Sequence, residues 1–191
     1  MSKNIILTNQ EIEHKIKRIA YQIYETFVDE EEIVIAGIAS NGYTFAKKIA
    51  LALETISPLK VSLCEVKINK QNPQLPIHTS LSKEQYTNKG LILVDDVLYT
   101  GRTIRAALEA LLDYGRPMAV ELLALIDRGR RELPIHADYV GRMVNTSRQE
   151  RVDVLLAERD ATEQAAIRQR MPVTRHKRFF AAAEPRLPGL E

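Results

Sequence analysis

The segment LILVDDVLYTGRT, residues 91–103, decides the fold of this 191-residue chain. Four apolar residues run directly into Asp95 and Asp96, and the hydroxyl-rich turn TGRT (100–103) begins four residues after Asp96. A short apolar run of this kind is typical of a buried strand. Two adjacent carboxylates repel each other, so placing both at the end of a buried strand is costly unless something binds them. The segment therefore indicates a binding site at the end of a strand.

Apolar runs and apolar stripes alternate along the rest of the chain. Strands are predicted at 33–38, 61–66, 91–94, 120–125, 139–140 and 152–156. Helices are predicted from apolar stripes within 12–27, 45–53 and 104–112. The first of these helices begins after a capping box, TNQE (8–11). Alternation of this kind requires crossover connections, so we expect an α/β fold with a central, mostly parallel sheet flanked by helices. In such sheets ligands bind beyond the carboxyl ends of the strands.

Composition excludes several classes of protein. Aromatic residues make up 6% of the chain and tryptophan is absent, so a base-stacking surface for nucleic acid is not expected. The single cysteine, Cys64, excludes an internal disulfide and suits a reducing compartment. No run of 18 apolar residues is present, so a membrane span is not expected. These features together predict a cytoplasmic protein.

The turn after the two aspartates has the properties of a phosphate cradle. Between Tyr99 and Thr103 the side chains are mostly small or hydroxylic, and Gly101 lets the backbone curl. The helix that follows directs free N–H groups and the positive end of its dipole at the turn. The sequence matches neither the Walker loop nor the dinucleotide fingerprint. An Asp-Asp pair alone also occurs in metal and phosphoacceptor pockets, but a ribose 5-phosphate unit would explain both the carboxylates and the cradle.

The same stretch resembles the phosphoribosyl-pyrophosphate signature of the type I phosphoribosyltransferases. RAALEALLDYGRP (105–117) and IDRGRRELPIHADYVGRMVNTSRQERVDV (126–154) resemble one branch of that family, the bifunctional pyrimidine-operon attenuation regulator and uracil phosphoribosyltransferase. The resemblance is dense over 91–156, thinner over 5–66, and lost in 69–89 and in the tail.

The resemblance implies a phosphoribosyltransferase domain over 1–158, with a flexible loop at 69–89 and a small hood at about 126–142. Residues 159–191 carry seven basic and four acidic residues, and three of the eight prolines. We interpret them as a basic extension that is loosely held or partly disordered, with a short alanine-rich helix near Ala165.

The implied reaction is the Mg²⁺-dependent transfer of phosphoribose to a nucleobase, most simply uracil, with release of pyrophosphate. Asp95 and Asp96 would be catalytic and would bind the ribose hydroxyls. Arg128 would reach the pyrophosphate or base region, and Val152 would lie against the base. The implied binding segment for phosphoribosyl pyrophosphate comprises Asp95, Asp96, Val97, Leu98, Tyr99, Thr100, Gly101, Arg102 and Thr103. The implied pyrophosphate loop comprises Ser40, Asn41 and Gly42. No protein metal ligand is expected, because the substrate would hold most of the Mg²⁺.

The chain departs from the family at the pyrophosphate loop. Asn41 stands where the family has an arginine, and residues 69–89 contain no arginine. Losing one charge-assisted hydrogen bond typically costs about 1.5–3 kcal/mol. An alternative function is therefore a sensor of phosphoribosyl pyrophosphate or of a nucleotide that turns over poorly.

A second alternative is an RNA-binding attenuation regulator. Residues 1–158 carry 20 basic and 21 acidic residues, so RNA is not favoured as a partner, although the composition leaves it open. The pair Arg130-Arg131 is either a phosphate contact or a solvated basic turn. The family habit of forming oligomers also implies a homodimer or higher homo-oligomer.

Overall fold

A computed structural model describes residues 4–38, 40–68, 78–156 and 162–169. The strands are β1 (Asn4–Thr8), β2 (Glu32–Ile38), β3 (Lys60–Lys67), β4 (His78–Thr79), β5 (Gly90–Leu98), β6 (Ala119–Asp127), β7 (Tyr139–Met143), β8 (Glu150–Leu155) and β9 (Gln164–Gln169). The helices are α1 (Asn9–Thr26), α2 (Asn41–Ile56), α3 (Lys83–Tyr86) and α4 (Arg102–Tyr114). The predicted alternation of strands and helices is confirmed.

The main sheet has six strands in the order β4-β3-β2-β5-β6-β7. All neighbouring pairs are parallel except β3 with the short strand β4. The chain proceeds outward from β2 to β3 on one side and from β5 through β6 to β7 on the other. The strand order therefore reverses between β2 and β5, and a doubly wound sheet opens its ligand crevice at such a point.

Alternate residues of the central strands face two hydrophobic clusters. One cluster lies between the sheet and helices α1 and α2, and includes Ile35 and Val94. The other lies under α4, and includes Ala36 and Leu93. Burial on both faces explains why these strands appear in the sequence as uninterrupted apolar runs. Cys64 is fully buried in β3, in the second cluster.

A second, three-stranded sheet has the order β1-β9-β8, with both pairs antiparallel. β9 is its central strand and falls beyond the domain boundary predicted at residue 158, so the folded unit extends to Gln169. The alanine-rich helix predicted near Ala165 is wrong, because this segment is a strand that pairs on both sides. Pairing with β1 and β8 and burial of Ala165 outweigh the intrinsic helix propensity of alanine.

The hood predicted at 126–142 overlaps the last strand of the main sheet. Residues 139–143 form the edge strand of the main sheet, next to β6, and the separate small sheet is the β1-β9-β8 sheet. Of the predicted flexible loop, residues 78–89 contain β4 and α3, whereas 69–77 lie outside the described residues. Residues 159–161 and 170–191 of the predicted tail lie outside them as well.

Among the helices that the structure describes, none combines the length and the apolar character that crossing a bilayer requires.

Candidate active site

Asp95 and Asp96 lie in the carboxyl half of β5, which runs on to Leu98 and is longer than the predicted strand. Asp95 is 7% exposed, and its Oδ1 accepts a hydrogen bond from the backbone N–H of Asp96 at 3.0 Å. Asp96 is only partly buried. Asp95 is thus the enclosed member of the pair, and Asp96 is the more open one.

The end of β2 brings the predicted pyrophosphate loop beside this pair. Ser40 has φ 73° and ψ −112°, a region that residues other than glycine rarely adopt. A Cβ atom on Gly42 would lie 2.7 Å from the carbonyl oxygen of Val94 and 3.3 Å from the Cα of Asp95. Only glycine therefore lets the start of α2 approach β5 this closely. Backbone strain of the kind at Ser40 is concentrated at functional sites in proteins.

Asn41 makes the most informative contact in the site. Its side-chain nitrogen Nδ2 donates to Oδ2 of Asp96 at 2.9 Å and to the backbone carbonyl of Val154 at 3.0 Å. These bonds join the first residue of α2 to β5 of the main sheet and to β8 of the second sheet. The side chain that replaces the family arginine is therefore turned toward the carboxylate pair.

The turn from Tyr99 to Gly101 connects β5 to α4 as predicted. Gly101 caps α4 with φ 89°, and the backbone N–H of Arg102 donates to the Thr100 hydroxyl at 3.4 Å. The first backbone N–H groups of a helix lack intrahelical partners, so they are available to an anion in the turn. That this turn holds a phosphate stays a prediction.

The segment that follows β6 lies against this turn. The backbone N–H of Glu132 donates to the carbonyl of Thr100 at 3.0 Å, and the carboxylate of Glu132 pairs with Arg102 at 2.6 Å. A Cβ on Gly101 would lie 3.2 Å from the side chain of Ile135. Residues 128–135 therefore form the outer support of the cradle.

Arg128 is 4% exposed and stacks on the ring of Tyr99, with its guanidinium carbon 3.9 Å from the ring centre. Its Nε donates to the hydroxyl of Thr146 at 3.0 Å, and its Nη2 donates to the carbonyl of Glu150 at 2.9 Å. The backbone N–H and the hydroxyl of Ser147 lower the pKa of the Glu150 carboxyl, with a further contribution from Arg128. In this structure Arg128 thus packs on the ring of Tyr99, and a direct contact with a ligand stays a prediction.

Asp127 and Arg131 are structural members of the site that the sequence did not reveal. Arg131 pairs with Asp127 at 2.5 Å and donates to the carbonyls of Tyr99 and Ile135, each at 2.8 Å. Neither of the two roles proposed for the Arg130-Arg131 pair describes this contact. Spacing of four residues indicates a contact only within a helix, and this segment is not helical, so no sequence signal was available.

Val152 is 7% exposed and belongs to the hydrophobic cluster that α1 and α2 cover. It lies on β8, two residues before the Val154 carbonyl that binds Asn41. Val152 is therefore near the site in sequence, but its side chain lies in the core. Its predicted contact with a base stays a prediction.

The aspartate pair supplies the carboxylate oxygens that a metal ion at this site would use. Within the four described ranges, no group of three or more His, Cys, Asp and Glu is arranged to hold a metal ion. The carboxylates of Asp95 and Asp96 are nonetheless the hard oxygen ligands that Mg²⁺ prefers. The donor set fits a Mg²⁺ ion that takes most of its ligands from a bound substrate and water.

Comparison with known proteins identifies relatives over most of the chain. Residues 2–156 match the family model described as the phosphoribosyl transferase domain. "Bifunctional protein PyrR" of Brevibacillus brevis is 42% identical over 176 residues, covering 88% of this chain and 98% of the relative. The protein of the same name from Clostridium novyi is 41% identical over 172 residues, covering 86% of this chain and 97% of the relative.

Solved structures share the fold. The hypoxanthine phosphoribosyltransferase of Trypanosoma cruzi superposes with a TM-score of 0.70 at 17% identity, covering 89% of this chain and 98% of that chain. A hypoxanthine-guanine phosphoribosyltransferase of Bacillus anthracis superposes with a TM-score of 0.64 at 23% identity, covering 76% and 84% of the two chains. At these identities the likeness concerns the fold alone.

Proposed function

The chain belongs to the phosphoribosyltransferase family, and from that premise we propose that it transfers phosphoribose from phosphoribosyl pyrophosphate to uracil. The observation that carries the proposal is the meeting of three segments at one sheet edge. These are the aspartate pair on β5, the turn before α4, and the start of α2, which approaches β5 through Gly42. Together they match the ribose, the 5-phosphate and the pyrophosphate of one substrate.

The chemistry of each segment suits its part of the substrate. The carboxylates of Asp95 and Asp96 accept hydrogen bonds from the two ribose hydroxyls. The N–H groups at the start of α4 and the hydroxyls of Thr100 and Thr103 hold the 5-phosphate. Asp96 also places negative charge near the anomeric carbon, where positive charge develops as pyrophosphate leaves. Fixed charge of this kind, aimed at a developing opposite charge, is a major source of catalysis.

Mg²⁺ is part of the proposal. When bound with the substrate, the ion neutralises charge on the departing pyrophosphate. Mg²⁺ prefers oxygen ligands, and the carboxylates of Asp95 and Asp96 would contact the ion directly or through water. Uracil follows from the resemblance to the pyrimidine branch of the family, which the relatives named Bifunctional protein PyrR support.

The test is pyrophosphate release from phosphoribosyl pyrophosphate and Mg²⁺, with uracil, hypoxanthine, guanine, xanthine, adenine and orotate assayed separately. We expect release with uracil. Asp96→Asn keeps the shape of the side chain and an acceptor for Asn41, but removes the charge. It should lower kcat by about 10²–10³-fold, as loss of a charge-stabilising group at a transition state typically does.

Asp113→Asn is the matched control, because Asp113 is exposed near the end of α4 and carries the same change away from the site. It should retain the wild-type rate. Release that depends on a purine and not on uracil would contradict the substrate assignment. Equal rates in wild type and Asp96→Asn would contradict the role of the pair.

A second candidate is a sensor that binds phosphoribosyl pyrophosphate or a nucleotide and turns it over slowly. The side chain at position 41 favours it, because Asn41 supplies no positive charge and its amide is engaged with Asp96 and Val154. Binding of phosphoribosyl pyrophosphate by calorimetry without release for any base would support this candidate. An RNA-binding regulator would in addition bind RNA with an affinity that falls steeply as salt increases, since phosphate contacts release counterions.

A further inference from the structure

We infer that Asn41 is a positioning residue for Asp96, which it ties to the second sheet, and that it does not bind pyrophosphate. This inference rests on the proposed function and deepens it. Its basis is that one nitrogen atom, Nδ2 of Asn41, lies 2.9 Å from Oδ2 of Asp96 and 3.0 Å from the carbonyl oxygen of Val154.

The orientation of the amide is dictated by its partners. A carboxylate and a carbonyl are both acceptors, so only the NH₂ end of the asparagine amide can face them. That nitrogen carries two hydrogens, and the two acceptors account for both. A turn of the amide toward pyrophosphate would break two hydrogen bonds, one of them to a charged group, and bonds of that kind are among the stronger ones in proteins.

The bridge joins parts of the chain that are far apart in sequence. Asp96 and Val154 lie 55 and 113 residues from Asn41. About two turns farther along α2, the ammonium of Lys48 pairs at 2.5 Å with Glu163, just before β9. Helix α2 is therefore attached to the second sheet at two points, Asn41 and Lys48. The attachment through Asn41 includes the Asp96 carboxylate, which is proposed to bind ribose.

A neutral donor at position 41 has a different electrostatic effect from the arginine that the resemblance leads one to expect. An amide orients the Asp96 carboxylate and leaves its full negative charge in place. A guanidinium beside the same carboxylate would form an ion pair and offset that charge. Asparagine at position 41 thus keeps the Asp96 carboxylate ordered and negatively charged. It does not supply the positive charge with which an arginine would bind pyrophosphate.

Ribose 5-phosphate separates the two roles, because it carries the ribose hydroxyls and the 5-phosphate but no pyrophosphate. Calorimetry would measure its binding, and that of pyrophosphate with Mg²⁺, to the wild type and to Asn41→Leu, which is similar in shape but has no donor. We expect ribose 5-phosphate to bind about tenfold more weakly to the variant, as after loss of one hydrogen bond to a charged group, and pyrophosphate binding to be unchanged. Asn41→Gln, which keeps the amide on a longer stem, should recover part of the loss.

Asn9→Leu is the matched control, because Asn9 is exposed at the start of α1 and loses the same amide. It should bind both ligands as the wild type does. Asn41→Arg supplies a second, independent comparison. If the amide positions Asp96, this variant should have a lower kcat with uracil. If position 41 is a pyrophosphate ligand, the variant should instead bind phosphoribosyl pyrophosphate more tightly.

Weaker pyrophosphate binding by Asn41→Leu with unchanged ribose 5-phosphate binding would overturn the inference, as would faster turnover by Asn41→Arg. A wild-type protein that binds neither ribose 5-phosphate nor phosphoribosyl pyrophosphate would overturn the proposed function itself, and the inference with it. The two failures are distinguishable because the first is read from variants of a protein that binds and the second from the wild type.

Discussion

Gly42 allows helix α2 to approach strand β5 closely. A methyl group at this position would overlap the carbonyl oxygen of Val94 and press on the backbone of Asp95. Gly42→Ala should therefore push the start of α2 away from β5. We expect a loss of about 1–3 kcal/mol of folding stability, the usual range for overpacking, together with weaker binding of phosphoribosyl pyrophosphate.

Urea unfolding and calorimetry would measure the two effects of Gly42→Ala. Leu51→Ala is the matched control on the same helix, because Leu51 is 66% exposed and lies nine residues after Gly42. It should alter neither quantity. Wild-type affinity in Gly42→Ala would mean that the loop before α2 does not need this close approach.

At the scale of elements, α1 depends on a capping box that the sequence predicted. The hydroxyl of Thr8 accepts from the backbone N–H of Glu11, and the carboxylate of Glu11 accepts from the backbone N–H of Thr8 at 2.9 Å. Hydrogen bonds from the backbone N–H and then from the hydroxyl of Thr8 lower the pKa of Glu11 in the folded protein. Folding therefore favours the charged form of this group.

The pH dependence of stability follows from the direction of that shift. A carboxyl with a lowered folded pKa stabilises the protein above its unfolded pKa, and this contribution is lost as pH falls through the folded value. Glu11→Gln should therefore be less stable than the wild type at neutral pH, and the difference should shrink below about pH 4. Thr8→Ala removes the same cap, should cost about 1 kcal/mol near pH 7, and should show the same trend. A difference that stays constant from pH 7 to pH 3 in urea unfolding would contradict this account.

At the scale of the whole molecule, β9 completes the fold. It is the central strand of the second sheet, so β1 and β8 are joined only through it. Ala165 is completely buried, with 0% of its surface accessible. It lies in the cluster that also contains the buried residues of α1 and α2. Ala165→Asp would place a carboxylate in this core, and we expect a loss of several kcal/mol, about 2–4, because a buried charge without a suitable partner is costly.

Gln169→Asp is the control for this change, since Gln169 is exposed at the end of the same strand. Its stability in urea should match that of the wild type. If Ala165→Asp unfolded at the wild-type urea concentration, residues 162–169 would not be an integral part of the domain.

The sequence by itself determined the α/β alternation, the parallel sheet, the capping box and the segments that meet at the sheet edge. Strands such as β2 and β5 are buried on both faces, and burial on both faces requires continuous apolar residues that are visible in a single chain. The aspartate pair and the turn before α4 were equally visible, because both lie within the continuous segment 91–103.

Tertiary structure alone decided the partners of those residues. The amide of Asn41 meets a carboxylate 55 residues away, and Arg131 reaches the carbonyl of Tyr99 across a loop. The strand at 164–169 exists because β1 and β8 pair with it, against the local preference of its alanines. Such contacts depend on how layers pack and on distances between segments remote in sequence. Local periodicity carries no information about either.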